Sequence, residues 1–544
     1  MAHPLPHKVK STLLHVKQKN GEIYVFEKKA LYDPEKRCAK AQGIRLIGKI
    51  PVGETDMVPV KNRTTVAEDE VAGQPADLAR ENRSSAATMK IAGSTALLLA
   101  IAKAAKIDED LRSVWDEKTV NAVLSLAIYS LLTDSPLTEF NSWAEGHEHP
   151  LGTTLSPEAI KALSSVIGDP MCCEALFQTR FKRAEDDNVI AYLSTARKTD
   201  PGQNTDISEM TVYKGRESCL PLAWQKVVLP INGQTLDGLS TSQGKKPNIA
   251  LVTDEIRSAK VNFVNLHKHG INFVIPVNLE LKPVNEAWNE YKDFYRDARY
   301  FVGELDTYAR TIPIALQVDR ESGRIVDAKE ETENTETVNG YLHLFKSTTL
   351  TQTEELDFYH QITRFERDWI SGHRDEKSPL LKFFKGPPAK EASVPLERDY
   401  DEINRALLEK GCYAIISKSA LTALDAYRIY EGLDVVNQCF GKSSLTAEMK
   451  ADETIESQNA RSLIAFVAYA ILNELTERWR EAQTSCVADV SLANVRSILV
   501  EFENIRLIRV PGYDARYGKV TDEEKVLADL LGFPALFESV PSSL

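Results

Sequence analysis

The sequence predicts a multidomain α/β protein, and three observations lead to this prediction. The chain has 544 residues, which is more than a single hydrophobic core normally organises. Hydrophobic residues make up 43% of the chain, an ordinary share for globular domains that argues against general disorder. Segments with the two-residue period of strands and segments with the helical period of three to four residues occupy different parts of the chain.

Residues 1–63 are predicted to form a small β domain. The segment Leu13–Ile50 alternates between apolar and polar residues in the manner of strands. Asn20-Gly21 is a strong hairpin turn signal, and Asp33-Pro34 marks a second turn. Residues 64–85 are polar and acidic, which is typical of a linker.

This first domain is basic, although the whole chain has a net charge of −13. Its 63 residues contain 13 Lys and Arg against 6 Asp and Glu, so the domain carries +7 and the remainder −20. A basic domain on an acidic body suits contact with DNA phosphates, and a solvated surface that happens to be basic explains the same charge. The candidate DNA-binding residues are Lys8, Lys10, Lys17, Lys19, Lys28, Lys29, Lys36, Arg37, Lys40, Arg45 and Lys49.

The remaining chain is predicted to contain helical and mixed regions. Residues 86–187 repeat apolar side chains at three- and four-residue steps and form an all-helical domain, in which Ser156-Pro157 is a helix start. Residues 188–277 mix strands and a helix, which indicates an α/β layer. Its predicted elements are strands at Ala223–Leu229, Ile249–Val252 and Phe273–Val277 and a helix at Lys260–Lys268.

A third region separates this α/β layer from its continuation. Residues 278–400 are predicted as an insertion. Residues 401–480 are predicted to contain a strand and helices that continue the α/β layer, and residues 481–544 form a C-terminal segment. The insertion has strand candidates at Ile312–Val318 and Tyr341–Phe345 and a helix near Leu356–Trp369; the continuation has a strand at Tyr413–Ser417 and helices near Leu421–Phe440 and Asn459–Arg480.

Several short motifs fail on inspection. Gly441-Lys442-Ser443 lacks the upstream glycine of a phosphate-binding loop, because position 436 is Val. The pairs His147/His149 and His267/His269 have no convincing carboxylate or cysteine partner, so solvated histidines are the preferred interpretation over metal ligands. Cys172-Cys173 is better explained as buried free thiols than as a redox pair.

Asp254 stands out as a candidate metal ligand. Ile249–Val252 reads as a buried strand, and Thr253-Asp254 follows it directly. Two-metal nucleases gather carboxylates from separate strands and a helix around Mg²⁺, which prefers oxygen ligands. By spacing alone, an ordinary surface Asp at a strand end explains the same pattern.

Several segments of the chain follow one another in an order and at a spacing typical of one family. They are Gly21–Val25, Arg45–Ile50, Leu124–Ala127, Phe140 with Trp143, Asp254 with Gly270–Pro276, Lys410–Ser417, Tyr430–Phe440 and Arg461–Leu472. In this order and spacing they resemble insertion-sequence DDE transposases of the branch with an N-terminal small sheet and a large β-rich insertion. The resemblance implies an RNase H-like core interrupted by the insertion and preceded by the small β domain and the helical domain. Both of these preceding domains are expected to bind duplex DNA. The resemblance also implies Mg²⁺- or Mn²⁺-dependent cleavage and strand transfer of double-stranded DNA by paired copies of the protein.

Two of the three carboxylates that the resemblance implies are missing. Leu193 stands where the family has its first Asp, directly before Ser194-Thr195. Asn437, seven residues after Tyr430, stands where the family has its Glu. Only Asp254 remains as a catalytic and metal-binding carboxylate, and Glu255-Ile256 replaces the Arg-Gly that follows it in the family. Asp434 lies one helical turn before Asn437 and is the candidate substitute.

Two functions are therefore predicted. The first is a DNA-binding, transposase-like protein, descended from enzymes of DNA transposition but catalytically impaired; the second is a domesticated, non-catalytic DNA-binding protein with a regulatory, defensive or structural role. The cofactor is Mg²⁺ or Mn²⁺ if the chain is catalytic and none otherwise, and a homodimer is the expected assembly on DNA. No apolar run reaches the roughly 18 residues of a membrane span. Because His3-Pro4 and Pro6 interrupt any signal peptide, the predicted location is the cytoplasm.

Overall fold

A computed structural model describes two units, residues 1–85 and residues 86–544. In the first unit only the backbone of the strands is described. The described residues are 9–17, 23–33, 38–50, 58–59, 87–195, 209–227, 247–254, 261–326, 334–373, 375, 377–385, 396–441, 454–485 and 494–540.

The first unit contains one antiparallel sheet with strand order β1-β2-β3-β4. The segment predicted to form a small β sheet does so, while the turn at Asn20-Gly21 lies outside the described residues. The strands are β1 (Val9–Lys17), β2 (Ile23–Asp33), β3 (Cys38–Ile50) and β4 (Val58–Pro59). Of the candidate DNA-binding residues, Lys10, Lys17, Lys28, Lys29, Lys40, Arg45 and Lys49 lie on these strands, and Lys8, Lys19, Lys36 and Arg37 lie outside the described residues.

The second unit combines fourteen α-helices with twelve strands in its described part. The helices are α1 (Gly93–Ala104), α2 (Ile107–Arg112), α3 (Glu117–Leu132), α4 (Phe140–Gly146), α5 (Pro157–Ile167), α6 (Pro170–Ala184), α7 (Phe263–Lys268), α8 (Lys282–Tyr291), α9 (Thr348–Ile370), α10 (Tyr400–Glu409), α11 (Ala423–Phe440), α12 (Ile455–Ser485), α13 (Val495–Phe502) and α14 (Asp522–Leu530). The strands are β5 (Thr88–Ile91), β6 (Asn188–Thr195), β7 (Glu209–Gly215), β8 (Pro221–Val227), β9 (Asn248–Val252), β10 (Asn272–Val277), β11 (Phe301–Val302), β12 (Thr307–Asp319), β13 (Thr335–Ser347), β14 (Cys412–Ser417), β15 (Arg506–Arg509) and β16 (Arg516–Tyr517).

Nine of these strands form one mixed sheet with the order β11-β12-β13-β14-β10-β9-β6-β7-β8. Strands β6, β7 and β8 are an antiparallel meander. Strands β9 and β10 run parallel to β6. Strand β14 pairs antiparallel with β10, and β13, β12 and β11 extend the sheet with antiparallel pairing. The strands of the predicted insertion therefore extend the same sheet as the strands on either side of it in sequence.

Both faces of the sheet are buried, and the side chains of β6 show how the faces divide. Val189, Ala191 and Leu193 belong to the apolar cluster that also contains residues of α7 and α8. Ile190 and Tyr192 belong to the cluster formed with α11, α12 and the helices that precede β6. This alternation follows from the two-residue period of a strand.

Helix α12 is the central helix of the second cluster. All residues of Leu463–Leu472 are buried, as the apolar run predicted. A helix that is apolar on every side is stable only inside a core. In the described part of the chain, no single helix has both the length and the apolar composition needed to cross a membrane; one bent pair, α3 with the segment Leu137–Gly146, meets these criteria only by length and composition.

Two local predictions have different outcomes. Ser156 caps α5 as predicted, with its Oγ accepting a hydrogen bond from the backbone N–H of Ala159 and Pro157 in the first turn. The prediction that His149 is solvated is wrong, since the side chain is 1% exposed. Its Nδ1 lies 3.2 Å from Ser125 Oγ. Burial lowers the pKa of His149 to about 4, so the ring is neutral at physiological pH.

Candidate functional site

The candidate site lies where β6 and β9 end side by side. These strands are parallel, and Tyr192 pairs with Val252 in their register. Ser194 and Asp254 are each two residues beyond this pair, so they occupy matching positions after the two paired segments of β6 and β9. Because both strands run in the same direction, their ends meet at one edge of the sheet.

Position 194 faces helix α11. Ser194 is fully buried, and its Oγ donates a hydrogen bond of 2.8 Å to Oδ1 of Asn437. The two residues are 243 positions apart in the sequence. This hydrogen bond connects the end of β6 to α11 at the position where the predicted catalytic helix meets the sheet.

Leu193 faces the opposite side of the sheet. Its side chain is fully buried in the apolar cluster with Ala191 and Leu251. The structure therefore does not bring Leu193 together with Asn437, contrary to the expectation that it occupies the first ligand position. The residue at that place is its neighbour Ser194, because adjacent residues of a strand point to opposite faces.

Helix α11 approaches β6 closely because of a glycine. A Cβ atom on Gly432 would lie 2.2 Å from Oη of Tyr192, so no larger residue fits without a shift. The helix begins at a cap in which Thr422 Oγ1 accepts a hydrogen bond from the N–H of Asp425. Cap and close packing together fix where Asn437 lies relative to Ser194.

Asp254 lies at the same edge and is half-buried. Thr253 before it is fully buried, and its Oγ1 donates a hydrogen bond to the backbone carbonyl of Asp254. Asp254 follows the predicted strand, and the structure places it beyond β9 as expected.

Asp434 lines a separate cavity. This cavity, of about 600 Å³, lies between α11, α12 and α13, and its walls include Glu431, Trp479 and Arg480 but not Asn437. Desolvation raises the pKa of the Asp434 carboxyl above its usual range. The side chain of Asp434 therefore lies on the side of α11 that faces α12, whereas the side chain of Asn437 contacts β6.

A chain of ion pairs joins β7, α12 and α11 next to this cavity. Lys214 Nζ lies 3.0 Å from Glu477, Arg480 lies 2.6 Å from the other oxygen of Glu477, and Arg480 also lies 3.0 Å from Glu431. Burial raises the pKa of Glu477, but the charges of Lys214 and Arg480 outweigh it and hold the pKa below its usual value. Nothing in the sequence indicated these ion pairs, because the residues that form them come from three segments far apart in sequence.

The donor set does not fit a pair of divalent cations. Ser194 contributes a hydroxyl and Asn437 an amide, both neutral, and their oxygens are already engaged with each other. Asp254 is left as the one carboxylate of the three positions. Two divalent ions need several anionic ligands to offset their dehydration. No group of three or more His, Cys, Asp and Glu side chains suited to a metal ion is found among the described residues.

The hydrogen bond between Ser194 and Asn437 is expected to stabilise the second unit. Ser194→Ala should lower the free energy of unfolding by about 1–2 kcal/mol, because it leaves a half-buried amide oxygen without its donor. Urea denaturation measures this change, and the control Ser165→Ala, at an exposed hydroxyl on α5, should change little. A double-mutant cycle with Asn437→Ala should give a coupling energy of at least about 0.5 kcal/mol, and additive effects would contradict the direct interaction.

No family model matches the chain, and no curated protein matches it either.

Proposed function

We propose that this chain is a DNA-binding protein with a transposase-like, RNase H-like core that does not cleave DNA. The observation that carries the proposal is the hydrogen bond between Ser194 and Asn437 at the place where such a core would hold two carboxylates. A hydroxyl and an amide that satisfy each other stabilise the junction of strand and helix. They provide no negative charge for metal ions.

The arrangement of strands supports the RNase H-like part of the proposal. A meander of three antiparallel strands, β8-β7-β6, continues into two parallel strands, β9 and β10. Helix α7 connects β9 to β10, and α11 packs over β6. This is the arrangement expected of the core that the sequence resemblance implies, although a fold by itself does not determine an activity.

The chemistry of the site supports the loss of cleavage. A two-metal displacement stabilises both the attacking and the leaving oxygen through the cations. With one carboxylate of three, the site lacks the charge that would hold those cations against their hydration. Asp434, the candidate substitute, lines the cavity on the α12 side of α11, and we propose that its charge does not complete this site.

The distribution of charge supports DNA as the partner. The first 63 residues carry +7 and the remainder −20. Binding to duplex phosphates releases counterions, so the affinity should fall steeply with salt. A protein that makes about six phosphate contacts loses roughly a thousandfold in affinity between low and moderate salt.

The test combines binding and cleavage on three full-length proteins: wild type, Asp254→Ala, and Ser194→Asp with Asn437→Glu. We expect salt-dependent binding of duplex DNA by wild type and Asp254→Ala with equal affinity, and no nicking by either with Mg²⁺ or Mn²⁺. Anisotropy of a labelled duplex and gel analysis of its strands measure the two properties. DNA cleavage by wild type that Asp254→Ala abolishes would contradict the loss of activity, and absence of a salt-sensitive complex would remove DNA binding.

A further inference from the structure

A small sheet in the second unit carries an exposed basic face. Strand β15 pairs with β5 on one side and β16 on the other, giving the order β16-β15-β5. Leu507 is buried and pairs with Lys90 and Tyr517, so these residues point inward. Ile508 pairs with Met89 and Arg516. Arg506, two residues before Ile508 on the same strand, pairs with Ile91. These residues alternate with the buried Leu507 and its partners, so they point outward.

Arg506 and Arg516 on the outward face, and Lys519 two residues after β16, have no ion-pair partner in the described part of the chain. Arg506, Arg516 and the following Lys519 are all exposed. By contrast, Arg509 on the inward side lies 2.8 Å from Glu148. Residues 506–519 contain four basic residues and one acidic residue, within a region of the chain that is otherwise net acidic.

The turn between β15 and β16 projects a polar aromatic side chain. Val510-Pro511-Gly512-Tyr513 closes with a hydrogen bond from the N–H of Tyr513 to the carbonyl of Val510. Gly512 has a φ of +82°, the left-handed conformation that the third residue of a type II turn requires after a proline. Tyr513, with 79% of its side chain exposed, is therefore held at the tip of the hairpin.

A histidine lies beside this sheet and close to two of the cations. His147 forms a bridge to Ile91 of β5. Burial lowers the pKa of His147, and the charges of Arg506 and Lys90 lower it further. The positive charges of Arg506 and Lys90 therefore lie close enough to His147 to disfavour its protonation.

We propose that this face binds the phosphate backbone of duplex DNA through Arg506, Arg516 and Lys519, with the hydroxyl of Tyr513 as an additional donor. The inference rests on the proposed function, which makes DNA the partner. Arg and Lys side chains together with Tyr hydroxyls are the usual donors to phosphate oxygens. Three unpaired cations in an acidic body suit a local contact with a phosphate strand, whereas anionic membranes are bound by clusters of about four to eight basic residues.

The experiment compares the wild-type chain with the triple variant Arg506→Ala, Arg516→Ala and Lys519→Ala. The control Lys268→Ala, Lys292→Ala and Lys377→Ala removes the same charge from exposed positions elsewhere. Anisotropy of a labelled duplex is measured over a range of salt concentrations, and circular dichroism establishes that all three proteins are folded. Sedimentation with vesicles of anionic lipid gives a second readout.

We expect the triple variant to lose about tenfold in DNA affinity and its salt slope to fall by about 3, because each lost phosphate contact removes about 0.9 from the slope. The control variant should retain both values. If the wild type binds DNA and the triple variant has the same salt slope as the control, this inference is wrong and the proposed function stands. A loss of vesicle binding without a loss of DNA binding would also overturn it. No DNA binding by the wild type would remove both.

Discussion

Leu193→Asp is expected to destabilise the second unit by at least about 4 kcal/mol, whereas Ser194→Asp should leave it folded. Leu193 is fully enclosed by apolar side chains of the α7 side of the sheet. A carboxylate buried there without a partner would lose its hydration and leave a poorly filled core. Ser194 is equally buried but already polar, and it faces an amide that can turn its N–H₂ group toward a carboxylate.

Urea denaturation of the two variants measures this difference. Leu193→Met is the matched control, since a swap of similar volume in a core usually costs less than about 1.5 kcal/mol. If Leu193→Asp were as stable as the wild type and Ser194→Asp unfolded, the register of β6 against α11 would be wrong. A carboxylate introduced at this edge of the sheet should therefore be placed at position 194.

Asp110→Ala is expected to cost about 3–5 kcal/mol, because it leaves a buried guanidinium without its counter-charge. Asp110 and Arg180 have 1% and 2% of their side chains exposed, and their charged atoms are 2.7 Å apart. Arg180 Nε also donates to the carbonyl of Pro221 on β8, and Arg183 binds the same carboxylate. The pair thus ties α2 and α6 to the edge of the large sheet.

Thermal or urea unfolding tests this prediction against a surface pair. Glu117 binds Arg112 at the surface, so Glu117→Ala should cost less than about 1 kcal/mol. Combining Asp110→Ala with Arg180→Met should recover much of the lost stability, because it removes the uncompensated charge and keeps an apolar stem. If Asp110→Ala and Glu117→Ala lowered the free energy of unfolding equally, the prediction would be wrong, and Arg180 would have to be satisfied by another partner or by water.

The sequence alone located several regular elements of the second unit, whereas α8, α10 and β7 were not predicted. The predicted strands Ile249–Val252 and Phe273–Val277 correspond to β9 and β10 to within one residue at each end. Ser156 was recognised as a helix cap, and the run Leu463–Leu472 as a buried helix. These features depend on periodicity and on capping groups within a few residues, and such information is contained in any short stretch of sequence.

Part of the candidate site was also accessible from the sequence. Asp254 was identified by its place after a strand, and Asn437 by the family resemblance. Asp254 lies just beyond β9, and Asn437 lies on α11. Ser194 was missed in favour of Leu193. The two-residue period of the strand already puts Ser194 on the same face as Ile190 and Tyr192. The sequence did not show that α11 covers this face of the sheet.

Only the tertiary structure decided how distant segments meet. Ser194 donates to a residue 243 positions away, β5 pairs with β15 from the opposite end of the second unit, and Ser125 and His149 meet inside the helical layer. Local patterns determine that a segment is a strand or a helix. Which of its faces is buried, and against what partner, depends on packing among segments far apart in sequence, because the free energy of burial is gained only when they come together.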